Sequence, residues 1–168
     1  ACVSFSALSI LETQIYFLTG KLVNFSDRFT AKMSGTIPGQ GNYLWKVAES
    51  IRKDGLLLEE DWPAPQDYNE QVYYAEIPQE LKDKAKTTLD LLGFDPTTYE
   101  FLPTPLSVAD VQKHAKHVPL QAVIPGHAIE EFYQLPDQWG YFDSYSPFRK
   151  QKEGVPQVAM KLILNPKK

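Results

Sequence analysis

The apolar residues of this 168-residue chain follow a helical period through its first half and take on a strand character from Leu120 onward. Side chains that recur every three to four residues line one face of a helix, whereas alternating ones line one face of a strand. A run of helices followed by strands able to pair with their sequence neighbours points to an α+β fold. The length suits one domain, or one domain in two lobes, with a sizeable core.

The pattern can be followed along the chain. Val3, Ala7, Ile10, Leu11, Ile15 and Leu18 share a face, which predicts a helix over 2–18 that stops at Gly20. Ser26 and Asp27 can cap a helical turn reaching Met33. The next stretch, Ser34 to Asn42, holds Gly35, Gly39, Gly41 and Pro38 and reads as a loop. Its glycines leave room for the backbone of a ligand. Leu44, Val47, Ala48 and Ile51 mark a helix over 43–53, and a third helix is expected over 78–92, capped by Gly93. The segment 68–75 reads as irregular or extended, 99–102 as a strand, and 108–116 as a helix capped by Ser107. Strands are expected over 120–124, 127–133, 139–145 and 158–164, with a basic, loop-like piece over 148–156.

Composition excludes several classes of function. With a net charge of −4 there is no electrostatic case for binding nucleic acid or an anionic membrane surface. No apolar run is long enough to predict a transmembrane segment, and no secretory signal pattern opens the chain. A single cysteine permits no internal disulfide, so an oxidising compartment is not required. His114 and His117 have a spacing that can hold a metal, but no third Cys, Asp or Glu accompanies them at motif spacing, so neither metal nor cofactor is expected.

The lone cysteine, Cys2, stands at the mouth of the first predicted helix. Unpaired backbone N–H groups and the positive end of the helix dipole favour thiolate there, and thiolate is the nucleophile. A lone cysteine is more commonly a small buried hydrophobe, so Cys2 needs partners to count as reactive. A thiol nucleophile needs a base, and the base needs a group to orient it. Of the three histidines, His127 follows Pro125-Gly126 and opens a strand, and Asp143 lies 16 residues on, in the strand expected to pair with it. A hairpin of that length can place His127 beside Asp143, and the helix N-terminus docked there would bring Cys2.

These motifs, in this order, resemble the papain-like cysteine peptidases. Cys2-Val3-Ser4-Phe5-Ser6-Ala7, followed by Glu12 and Gln14, looks like the family's active-site helix. Phe25-Ser26-Asp27, Gly39-Gln40-Gly41-Asn42, Tyr43 with Trp45, Gly55-Leu56 and Asp61-Trp62-Pro63 stand in the order of its later landmarks. His127-Ala128-Ile129 looks like its histidine strand, and Asp143-Ser144-Tyr145-Ser146 like its Asn-Ser-Trp-Gly. The resemblance covers nearly the whole chain. It implies a two-lobed fold, with a helical lobe over about 1–95 and a β lobe over about 96–168. It also implies a thiol protease that hydrolyses peptide bonds through a Cys2, His127, Asp143 catalytic triad. Gly39, Gly41, Asn42, Tyr43 and Tyr145 would then face a peptide or protein substrate.

The departures from the family pattern carry expectations of their own. Asp143 replaces an Asn, Tyr145 replaces a Trp, and Asn42 takes the position of a second glycine. The family's disulfide cysteines are missing, which suits a cytoplasmic or virion-associated protein of phage or bacterial type. A Gln that donates to the oxyanion lies about six residues before the family's nucleophile, and this chain begins one residue before Cys2. An assembly partner or a longer precursor would have to supply it. The alternative is a catalytically weakened papain-fold module serving as a structural or binding part of a larger assembly.

Overall fold

The computed structural model describes residues 1–168 apart from the side chains of Ser146 and Pro147, so the Ser146 side chain of the Asp143–Ser146 motif lies outside the described residues. Helices α1 (Cys2–Thr19), α2 (Asp27–Met33), α3 (Leu44–Asp54), α4 (Glu70–Tyr73), α5 (Gln79–Ala85) and α6 (Thr88–Leu92) precede the first strand, β1 (Phe94–Phe101). Helix α7 (Val108–Ala115) follows, then β2 (Leu120–Ile124), β3 (His127–Gln134), β4 (Gln138–Asp143), β5 (Ser146–Glu153) and β6 (Val158–Pro166). All six strands form one antiparallel sheet in the order β1-β6-β2-β3-β4-β5. The α+β expectation holds, with helices first and an antiparallel sheet after them.

Helix α1 runs through the centre. Val3, Ala7, Leu8, Ile10, Leu11 and Ile15 pack with Leu44, Val47 and Ile51 of α3 and with Met160, Leu162 and Leu164 of β6. Burial of such aliphatic side chains contributes about 1.5–3 kcal/mol each. The expected face ends early: Leu18 is exposed, as are Tyr16 and Phe17, and Gly20 closes the helix in the left-handed conformation. By length and composition α1 meets the criterion for crossing a membrane, which the sequence alone did not suggest, and half of it is buried inside the fold.

Polar side chains tie α1 to the sheet. Gln14 Nε2 donates to the Leu162 carbonyl at 2.7 Å, and Gln14 Oε1 accepts from Leu164 N–H at 3.0 Å. Gln121 Nε2 of β2 donates to the Val3 carbonyl at 2.9 Å and to Ser6 Oγ at 2.8 Å. The hydroxyls of Ser9 and Thr13 both donate to the Glu130 carboxylate of β3. Each bond joins groups that would be costly to bury unpaired.

Several elements differ from the expectation, each for a local reason. The third helix is split into α5 and α6 because the Ala85 carbonyl accepts from Leu56 N–H at 3.1 Å, outside the helix. Residues 70–73 form the short α4, whose Asn69 side chain accepts from Val72 N–H as a cap. β1 begins at Phe94 rather than Tyr99, and its register is irregular between Asp95 and Thr98, where Pro96 withholds an N–H. The basic segment expected to be a loop is β5, at the sheet edge, where lysines discourage further pairing. Leu56 to Leu58 contributes only an isolated bridge between Phe25 and Leu58.

On the sheet face away from α1, Ala122, Ile129 and Trp139 form a second cluster, and Val111 and Ala115 of α7 pack on Leu102, Leu120 and Ala159. Two residues along β3 from Ile129, the Glu131 side chain is fully buried, and neither carboxyl oxygen has a hydrogen-bond partner among the described residues. Burial lifts its pKa to about 8. The unfolded chain would release this proton near pH 4.5, while the fold holds it until about 8. The pH-dependent cost of Glu131 therefore grows as pH rises between those values and vanishes below the lower one. Glu131→Gln is expected to stabilise the protein at pH 7 by on the order of 2 kcal/mol. Thermal unfolding of both proteins should show that gain shrinking toward pH 4.5.

Candidate active site

Cys2 is the first residue of α1 and is half-buried. Ala1 precedes it as N-cap without a side-chain cap, and the first helical bond runs from Phe5 N–H to the Ala1 carbonyl at 2.9 Å. The amides of Cys2, Val3 and Ser4 lie in the first turn of α1, where backbone N–H groups have no intrahelical partner. The grip of Gln121 on Val3 and Ser6 pins this end of the helix to β2.

His127 opens β3 directly after the Pro125-Gly126 turn and pairs with Ile124 of β2. The turn sets it beside the helix end: Cys2 and His127 line one cleft of about 310 Å³. Gln40, Gly41, Asn42, Tyr43 and Leu44 line one wall, and Val123, Gly126 and Ala128 stand with His127 on the other.

The first wall is a tight turn. Ile37 N–H donates to the Gly41 carbonyl at 3.2 Å, and Gly41 N–H donates back to Ile37 at 2.9 Å. Gly39 and Gly41 have φ of 75° and 83°, in the left-handed region where a side chain is disfavoured. Their glycines are therefore explained by the turn itself. Asn42 Nδ2 donates to the Ser34 carbonyl at 3.2 Å, Ser34 Oγ at 3.0 Å and Thr36 Oγ1 at 3.1 Å. Its Oδ1 accepts from Tyr43 N–H at 2.8 Å. The side chain is thus engaged with its own loop. The Asn42 backbone N–H and carbonyl have no hydrogen-bond partner among the described residues.

Asp143, at the end of β4, is almost fully buried. Its Oδ2 lies 3.9 Å from His127 Nε2 and 2.9 Å from Lys150 Nζ, and its Oδ1 accepts from Tyr145 N–H at 3.0 Å. His127 Nε2 is buried and finds no hydrogen-bond partner among the described residues. The Tyr145 ring stacks on the imidazole, centroids 4.7 Å apart and planes at 24°. Burial pushes the His127 pKa down; Asp143 opposes that, and Lys150 adds to it. Burial pushes Asp143 up, but the Lys150 and Tyr145 hydrogen bonds and the nearby charges outweigh it and leave its pKa low.

The structure therefore gathers Cys2, His127, Gly41, Asn42 and Tyr43 around one cleft and sets Asp143 behind His127. Gly39 stays in the turn away from the cleft lining, and Tyr145 covers the imidazole face instead of lining the cleft. Sequence reasoning missed Lys150, along with Leu44, Val123, Gly126 and Ala128 on the cleft walls. No local signal marked Lys150, since its contact with Asp143 depends on β5 pairing with β4. Among the described residues no three His, Cys, Asp or Glu side chains converge as metal ligands. His114 lies in the last turn of α7, and His117 follows it.

No protein-family model matches this chain, and no curated protein sequence matches it. Solved structures do match its fold. A cysteine protease of Carica candamarcensis in complex with E-64 superposes with a TM-score of 0.68 at 14% identity, over 99% of this chain and 89% of that one. The proform of the ragweed pollen allergen Amb a 11, a cysteine protease, gives 0.69 at 20% identity, over 98% of this chain and 60% of that one. Digestive procathepsin L 3 of Tenebrio molitor larval midgut gives 0.65 at 16% identity, over 96% of this chain and 63% of that one. At these identities the likeness establishes the fold, which is papain-like.

The bracing by Asn42 can be tested on stability alone. Asn42→Ala removes its loop bonds and the acceptor for Tyr43 N–H, so it is expected to cost about 1–2 kcal/mol. Asn42→Asp keeps the acceptor to Tyr43 and should lose less in thermal unfolding.

Proposed function

We propose that this protein is a thiol hydrolase cleaving peptide bonds, with Cys2 as nucleophile, His127 as general base and acid, and Asp143 as the group that orients His127. The observation that carries the reading is one cleft lined by the sole thiol and an imidazole within a papain-like fold.

The chemistry follows from these groups. His127 takes the thiol proton, and the Cys2 sulfur bonds to the carbonyl carbon of the scissile amide. The carbonyl oxygen gains the negative charge, and the Cys2 backbone N–H at the head of α1 is one donor for it. The C–N bond then breaks as His127 returns the proton to the leaving amine. Water, deprotonated by His127, attacks the thioester and frees the acid and the thiol. The unpaired Asn42 backbone in the cleft wall gives an extended substrate an N–H and a carbonyl to pair with. A second oxyanion donor would come from upstream sequence or from an assembly partner.

The 3.9 Å gap between Asp143 and His127 favours a second reading, in which the same fold is a weakened enzyme retained as a binding module of an assembly. E-64, the compound held in the Carica protease structure, distinguishes the two. The hydrolase is expected to be labelled at Cys2 at neutral pH and to cleave a peptide panel, with both lost in Cys2→Ala and reduced at least a hundredfold in His127→Ala. An unlabelled Cys2 together with no cleavage would reject the hydrolase.

A further inference from the structure

The Asp143 carboxylate is contested by two strands. Lys150 Nζ donates to its Oδ2 at 2.9 Å, a charge-assisted hydrogen bond, while His127 Nε2 at 3.9 Å is beyond hydrogen-bond reach of the same oxygen. The other oxygen is held by Tyr145 N–H. The register explains the contact. Lys150 of β5 pairs with Tyr141 of β4, the register then shifts before Asp143, and Lys150 Nζ reaches the carboxylate across that irregularity. Asp143 is 4% exposed and His127 10%, so their interaction is only weakly screened by water.

We propose that Lys150 is a positioning residue for this site. By pairing with Asp143 it holds the carboxylate out of hydrogen-bond contact with His127 and sets how readily His127 takes a proton. The consequence for rate rests on the thiol-hydrolase reading; the effect on His127 does not.

The charged and titratable groups around His127 can be named. Asp143 comes from β4 and Lys150 from β5, while α1 presents Cys2. Tyr145 stacks on the ring, and β2 brings only Ile124 and Val123. A lone carboxylate behind the imidazole would favour the imidazolium, and with it a thiolate on Cys2. Lys150 opposes that charge. It acts in the same direction as burial, toward a neutral imidazole.

The test is NMR titration of the three imidazoles in Cys2→Ala protein, which removes any dependence on thiol chemistry. Lys150→Met is expected to raise the proton affinity of His127 about tenfold, because Asp143 is left unopposed. Lys150→Arg restores the charge and should leave His127 near its starting value, with His114 and His117 unmoved throughout. Adding Asp143→Asn to Lys150→Met should cancel the rise. Lys150→Gln, which keeps a donor without the charge, replaces the Met variant should that one not fold, and it should give the same rise. An unchanged or lowered His127 titration in a folded neutral variant overturns the proposal. So does loss of folding in both neutral variants while Lys150→Arg folds, because Lys150 would then be structural only. With Cys2 restored, alkylation by iodoacetamide below neutral pH should quicken in Lys150→Met. A shifted His127 titration alongside an unreactive Cys2 would count against the hydrolase reading and leave the role of Lys150 standing.

Discussion

Everything at the cleft depends on how α1 is held against the sheet. An apolar helix face alone would tolerate some sliding and rotation over β2, β3 and β6. Gln14, Gln121 and Glu130 remove that freedom, because each is buried and each makes its hydrogen bonds across the helix–sheet contact only at one depth and one rotation of the helix. Gln121 does so at the end that matters, one residue from Cys2. The helix end therefore meets the β2–β3 turn, and the thiol meets the histidine that opens β3.

The same polar grip makes the interior rich in carboxyl groups. Burial lifts Glu12 to about 7 while the Phe25 N–H binds it, and burial raises Glu130 against two hydroxyl donors. Asp143 differs from these because its partner is a cation. With Lys150 bound, its pKa is lowered despite burial. Burial depresses the His127 pKa, Asp143 opposes that, and Lys150 adds to the depression.

How much of this was legible in the sequence varied with the range of the interaction. The helices α1, α2 and α7 and the strands β2, β3 and β6 were readable because their apolar periodicity and capping residues are local. The break between α5 and α6 was not, since it follows from the Ala85 carbonyl being taken by Leu56, far upstream in the chain. β5 was hidden because its lysines look like a solvated loop until a partner strand is beside them. At the site, Cys2, His127 and Asp143 were named from residue type, order and spacing, and the loop that carries Asn42 from its glycines. The glycines marked the right loop for a different physical reason, the left-handed turn between Ile37 and Gly41.

By itself the sequence determined the order of helices and strands, a lone thiol at a helix start and a histidine after a Pro-Gly turn. These are properties of neighbours along the chain, governed by periodicity, capping and turn chemistry. Only the tertiary structure decided which groups touch. It brought Cys2 and His127 to one cleft, turned the Asn42 side chain into its own loop, laid Tyr145 over the imidazole and gave Asp143 to Lys150. Those outcomes rest on strand register and helix docking, which depend on contacts between residues far apart in the chain.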